Sequence, residues 1–412
     1  MLKLKARRKA EDVPMLKLHD GEKSAILAEV TALITETMTY ERIFRDGAGP
    51  LDPSKWKEVK ARDNFRLYRE RKPSNTVTPF FAGDVGGFGI IEPPTLLSLR
   101  DLRPLSNSGL TVCSTTDDVE DIVTSIKQSN VPLLIGEGHV EGSLEDVMYG
   151  GMAGDEVSSR LRMAYMKDNF SDTKILATIR ASTVDAPFDY VVIKWLAMET
   201  SSPIMSSQRE FLVIEAIGIA VDAFGDQYGY GIMHPFQHPD IPEDPQITRG
   251  LMATAYINRE VSADRTHLFV RGFVAPPNSE ISPKAMVKLA AASLISAANV
   301  ADASYAKKLS WLMIQNLKSP PSDHQSSSST CCEQRSTFAK LTSVNCQACG
   351  QSTCGKCTLQ RNIVVEMTTT NVKEEQLPFC FACVIKAKQM SPRDVAITAL
   401  ELYENDKPEC GP

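Results

Sequence analysis

Between residues 20 and 45 apolar side chains return every three or four positions, at Ile26, Val30, Leu33 and Ile34, which predicts an amphipathic helix with one buried face. The pattern then changes period. Nine segments (56–60, 65–71, 131–140, 174–179, 189–199, 210–222, 227–235, 250–259 and 267–274) are rich in Val, Ile, Tyr, Phe and Thr and bounded by Gly, Pro, Asp and Ser, and they predict strands. Residues 223–227, with Gly225-Asp226 as the turn, predict a hairpin, so successive strands build an antiparallel sheet. Residues 143–166 carry Leu144, Val147, Met148 and Leu161 and predict a helical interruption early in the series. The last element is the plainest. Ser282 suits an N-cap and Pro283 the first helical position, and 284–316 holds no Gly or Pro, so one helix about 50 Å long is expected at about 1.5 Å per residue. One of its faces carries Met286, Leu289, Ala290, Leu294, Ala297, Ala301, Tyr305, Leu309, Leu312 and Met313, which predicts close packing on the sheet.

Residues 319–330 contain no apolar side chain except prolines and cannot repay the entropy of ordering, which predicts a linker. The glycines at 83–89 lack both a Lys-Ser/Thr pair and a GxGxxG spacing and predict a surface loop rather than a phosphate cradle. The chain of 412 residues carries a net charge of −6, which argues against a nucleic-acid partner. Its most apolar stretch, 286–305, is interrupted by Lys288, Asn299 and Asp302, so no membrane-spanning helix is expected. The basic start lacks the apolar core of a secretory signal, so a reducing, cytoplasmic setting is expected. Nine of the ten cysteines lie between Cys331 and Cys410, and in that setting such a cluster predicts metal ligands rather than disulfides. The six histidines belong to no HExxH or GxSxG pattern, and no catalytic set emerges.

The order of these elements describes an α+β helix-grip architecture. WKEVKARDNFRLYRERK (56–72), GSLEDVMYG (142–150), DYVVIKWL (189–196), SSQREFLVIEAIG (206–218), RTHLFVRGF (265–273) and AKKLSWLM (306–313) resemble the START lipid-binding family over about residues 20–317. The resemblance implies a curved antiparallel sheet and a C-terminal helix that enclose one lipid, with 198–208 as a gating loop whose tip is Pro203, Ile204 and Met205. Ile193, Trp195, Met205, Leu294 and Trp311 are the candidate wall residues, and Arg180, Lys194 and Arg209 are candidates to meet a head group. A lipid chain gains about 0.8 kcal/mol per methylene on leaving water, which is why such a chamber binds.

Downstream the spacing runs Cys346-x2-Cys349-x4-Cys354-x2-Cys357-x22-Cys380-x2-Cys383, after the adjacent pair Cys331 and Cys332. Each CxxC lets two thiolates from one tight turn reach the same tetrahedral ion, so Zn2+ is the expected cofactor. Cys349, Cys354, Cys357 and Cys380 also fit a plant-type iron–sulfur spacing, which would leave two CxxC partners unused. The four-residue gap and cross-braced order resemble a FYVE-type zinc finger over 331–386. That resemblance implies one complete site of Cys346, Cys349, Cys380 and Cys383, and a second of Cys354 and Cys357 with Cys332 and Cys331 or His324. The family's basic phosphoinositide-binding run is replaced by LTSVN at 341–345, so affinity for phosphatidylinositol 3-phosphate is not expected. A helix interrupted near Ser391-Pro392 is predicted over 384–403.

The expected organisation is a tail (1–19), a START-like domain (20–318), a linker (319–330), the finger (331–386) and a C-terminal helix (387–412). The expected function is non-enzymatic lipid binding, as sensor or carrier, with the finger as adaptor to an endomembrane periphery or a protein partner. Two other readings stay open: a scaffold whose ligand sites are both degenerate, and a helix-grip enzyme.

Overall fold

The structure, a computed structural model, describes residues 7–46, 51–72, 121–128, 130–201, 206–245, 247–275, 283–318, 344–368 and 372–405. The glycine loop at 83–89, the linker at 319–330, the gate tip with Met205, and Cys331 and Cys332 lie outside the described residues. Helix α1 (Asp20–Asp46) is followed by β1 (Trp56–Arg62), β2 (Phe65–Glu70), the short α2 (Ile122–Ser125) and β3 (Leu134–Glu141). Two helices, α3 (Leu144–Gly151) and α4 (Glu156–Met166), precede β4 (Phe170–Arg180), β5 (Tyr190–Ser201), β6 (Ser206–Val221) and β7 (Gln227–Pro235). Then come β8 (Thr248–Arg249), β9 (Leu251–Ser262), β10 (Arg265–Ala275), α5 (Pro283–Leu294) and α6 (Val300–Lys318).

All nine expected strands are present, in one ten-stranded sheet of order β1-β2-β3-β10-β9-β7-β6-β5-β4, with β8 paired to β6. The ladder is antiparallel throughout except at β8, as hairpin connections require. The sheet has a packed layer on each face. Ile26, Val30, Leu33 and Tyr40 of α1 cover one face, meeting Ile193, Trp195, Leu212, Ile214 and Phe269. The other face meets Leu144, Val147 and Met148 of α3, and Ala290, Leu294, Ala297, Val300 and Ala301 of the closing helices. This is the helix-grip arrangement that the element order predicted.

Three elements depart from expectation. The single helix over 143–166 is two, because Asp155 caps α4 by accepting from the Ser158 N–H at 2.8 Å and ends the run from α3. The single helix over 284–316 tightens into a 3-10 turn at Ile295–Asn299. There Asn299 donates from Nδ2 to the Met166 carbonyl at 2.7 Å and ties the turn to the end of α4. The supposed gating loop at 198–208 is mostly strand: Met198 pairs with Arg209, Glu199 with Gln208 and Ser201 with Ser206. Lys284–Asn316 is long and apolar enough by length and composition to cross a membrane, but here its apolar positions pack on the protein itself.

The cysteine module contributes β11 (Val344–Asn345), β12 (Ser352–Thr353), the hairpin of β13 (Thr358–Met367) and β14 (Val372–Cys380), then α7 (Phe381–Gln389) and α8 (Pro392–Asn405). The break between its helices falls at Met390-Ser391, as expected. The module lies directly on α6. Leu309, only 2% exposed, shares a cluster with Ile363, Phe379, Val384, Ala387 and three of the cysteines, and the half-buried Leu312 and Met313 extend it. Ala396 of α8 joins the core on the helix-covered face of the sheet. The closing helix therefore divides its apolar residues between the sheet and the module, whereas the sequence reading gave all of them to the sheet.

Candidate functional site

Strand alternation decides what faces the space between the sheet and the closing helices. On β5, Val192, Lys194 and Leu196 face it, while Ile193 and Trp195 point to the opposite face under α1, where the Trp195 indole donates to Glu210 Oε2 at 2.8 Å. The two proposed wall residues thus lie on the wrong side of the sheet. Leu294 is buried among the helix-side core residues, and Trp311 is half-buried further along α6; neither lines the interior space. Arg209 is buried on β6 opposite Met198, on the same face as Phe211 and Val213 but beyond the chamber lining, and Arg180 pairs with Asp189 at 3.4 Å.

The interior space is a chamber of about 110 Å³. Its apolar walls include Val147, Met148, Met166, Phe170, Ile217, Met233, Met252 and Val300, and its polar end is formed by Arg162, Asp168, Tyr190 and Glu215, while Asn258 lines it four residues further along the strands, beside Met148. Glu215 is the hub. Its Oε1 accepts from Arg162 Nη1 at 3.0 Å and from the Tyr190 hydroxyl at 2.7 Å, and its Oε2 lies 2.8 Å from Lys194 Nζ. Lys194 also donates to the Ala153 carbonyl at 2.7 Å, and Arg162 Nε stands 3.7 Å from Asp168 Oδ2. Burial works against the Glu215 charge, but Arg162 and Lys194 outweigh it and hold that carboxyl below its usual value. Burial dominates at Asp168 and raises it in spite of Arg162. Two buried acceptors along its lining, Asp168 Oδ1 at this end and Asn258 Oδ1 at the other, have no hydrogen-bond partner among the described residues, so they suit a donor from a bound molecule or water.

Sequence reasoning named Lys194 but missed Arg162, Asp168 and Glu215. The signal available was Glu215, an acidic residue in an otherwise apolar stretch of β6.

In the module, the Sγ atoms of Cys346, Cys349, Cys380 and Cys383 all lie within 4.8 Å of one another. This is the set expected for one complete site, and it is not the set that the iron–sulfur spacing would have gathered. Two tight turns build it. Gly350, at φ 73°, closes the first by donating its N–H to the Cys346 carbonyl at 2.8 Å. In the second, the Cys383 N–H points at Cys380 Sγ across 3.4 Å, at the start of α7. Burial pushes the Cys349 thiol up to about 11 and Cys383 further, because neighbouring sulfurs resist a second negative charge. Four crowded thiols become thiolates together only with a cation among them, so the residues present fit a tetrahedral metal ion. Cys354 and Cys357 are half-buried and stand outside this group.

No protein-family model and no curated protein sequence matches the chain. Among solved structures it is similar to human StAR-related lipid transfer protein 5, with a TM-score of 0.41 and 14% identity, over 68% of this chain and 97% of that one. It is similar to human STARD10 at a TM-score of 0.36 and 12% identity, over 67% and 82% of the two chains. A fragment of a STAR-related lipid transfer protein from Xanthomonas axonopodis gives 0.33 and 12%, over 60% and 97%.

Proposed function

We propose that the helix-grip domain binds a lipid in the chamber between its sheet and closing helices, and that the four thiols hold a structural Zn2+. The observation that carries the lipid reading is a buried apolar chamber with a charge-balanced polar end. Its ionic groups are matched in opposite pairs, an arrangement suited to holding a polar head rather than to moving a proton. At about 110 Å³ the chamber is smaller than the roughly 300–1,000 Å³ of ordinary ligand pockets, so a lipid enters only as the walls withdraw. Met148, Met166, Met233 and Met252 make that withdrawal easy, since thioether side chains repack at small cost. The thiol site suits a reducing cytoplasmic setting, and an endomembrane surface is the natural source of the lipid.

The small volume also favours a second reading, a scaffold that has lost its ligand. Native mass spectrometry of the chain purified from cells separates the two. We expect a lipid-sized mass increment together with zinc, uptake of fluorescent fatty acid or sterol from phosphatidylcholine vesicles, and no added pelleting when the vesicles carry phosphatidylinositol 3-phosphate. Neither an increment nor uptake of any labelled lipid would leave the scaffold.

A further inference from the structure

The four-thiol centre and the chamber share one helix. Val300 of α6 lines the chamber, and Leu309, nine residues or about 14 Å further along, is buried against Cys346, Cys380 and Cys383. Lys308 fixes the attachment. Its ammonium donates to Asp146 Oδ1 of α3 at 2.7 Å and to the carbonyls of Met390 and Lys388, at 3.1 and 3.4 Å, where α7 ends. From α4, Tyr165 accepts the Val364 N–H at 3.0 Å, and Lys167 pairs with Glu374.

From this geometry we infer that the four-thiol centre is a regulatory metal site for the chamber: metal on the thiols clamps α6 closed, and metal release lets the helix withdraw. What enters the chamber rests on the lipid reading above; the clamp itself rests on the contacts. A module whose core is Ile363, Phe379, Val384, Ala387 and its own cysteines is too small to hold together without a staple. Losing the ion therefore loosens α7, takes away two of the Lys308 acceptors and bares Leu309, Leu312 and Met313. A lipid too large for the closed chamber pushes the same helix outward. Metal and lipid thus favour opposite positions of α6, and linkage makes the antagonism reciprocal.

The test uses the full-length zinc-loaded chain and hydrogen exchange read by mass spectrometry. Excess chelator should speed exchange across 300–318 by about tenfold or more. It should also raise uptake of fluorescent fatty acid from phosphatidylcholine vesicles. Lipid-loaded protein should surrender zinc to a chromophoric chelator about tenfold more readily than the empty chain. Lys308→Met should exchange fast over 300–318 while still metal-loaded; if that variant fails to fold, Leu312→Ala serves the same comparison. Opening of 381–389 on chelation with 300–318 unchanged would overturn the clamp. A response of 300–318 with no lipid taken up in either state would overturn the lipid reading and leave the clamp standing.

Discussion

Under α1 the guanidinium of Arg271 meets two carboxylates, Glu36 and Asp121, and lies over the Tyr40 ring at 3.8 Å from its centre. One cation cannot neutralise both acids. Burial, then the hydrogen bond to Asp121, raises Glu36 to about 7, whereas Asp121, though burial opposes it, is held at about 2 by Arg271 and by hydrogen bonds from Glu36, Arg271 and the Thr124 N–H. The native chain thus keeps a proton on Glu36 that the unfolded chain releases near pH 4.5, so stability falls as pH rises from about 4.5 to 7. The Asp121 contribution runs the other way and is lost only as pH drops from 3.8 toward 2. Glu36→Gln fixes the neutral form and should flatten the fall. Urea midpoints at pH 5 and 7.5 check this, and parallel slopes for the two proteins would sink the assignment.

Helices α3 and α6 run so close that a Cβ on Gly150 would stand 1.9 Å from the Val300 carbonyl oxygen, whereas one on Gly151 would meet its first neighbour at 3.6 Å. Gly150→Ala should force the helices apart and cost about 1–3 kcal/mol. Gly151→Ala should be neutral or slightly stabilising, since alanine favours the helix. Thermal melts of the two variants side by side decide it, and equal losses would mean that the close approach is not what Gly150 serves. Elements of this kind were largely legible in the chain: nine strands stood out by composition and boundary, and α1 by its period. What the pattern could not give was the direction each strand faces. Both faces of the sheet are covered by helices, so both are apolar, and alternation loses its polar side. On β5 the eye goes to Trp195 for a chamber wall, yet Lys194 points inward because the Glu215 carboxylate on β6 and the Ala153 carbonyl beyond α3 take its ammonium. Those partners are 21 and 41 residues away in sequence, beyond any local pattern.

At the scale of the whole molecule, the CxxC spacing announced the thiol cluster, but nothing in the spacing said that the cluster would be seated on the helix that also reaches the chamber. That seat is written in single residues, Leu309 and Lys308, which read locally as one more apolar position and one more surface lysine. The two halves should therefore not separate cleanly. A chain ending at residue 318 leaves Leu309, Leu312 and Met313 without cover, and should self-associate on a sizing column unless residues 319–412 are supplied alongside; a well-behaved monomer without them would count against the shared core.

Lys307 and Lys308 carry a further consequence. The first sends its ammonium to the carbonyls of Tyr149, Gly150 and Met152, where α3 ends, at 2.8 to 3.2 Å; the second does the same for the end of α7. Neighbours on a helix point about 100° apart, so two adjacent lysines of α6 reach two separate helix ends. One residue inserted between Asn299 and Lys307 would turn the remainder of α6 by that angle and swing both side chains off their helix ends in a single step. The length of this segment is thereby frozen, like the count of teeth on a gear that meshes with two others.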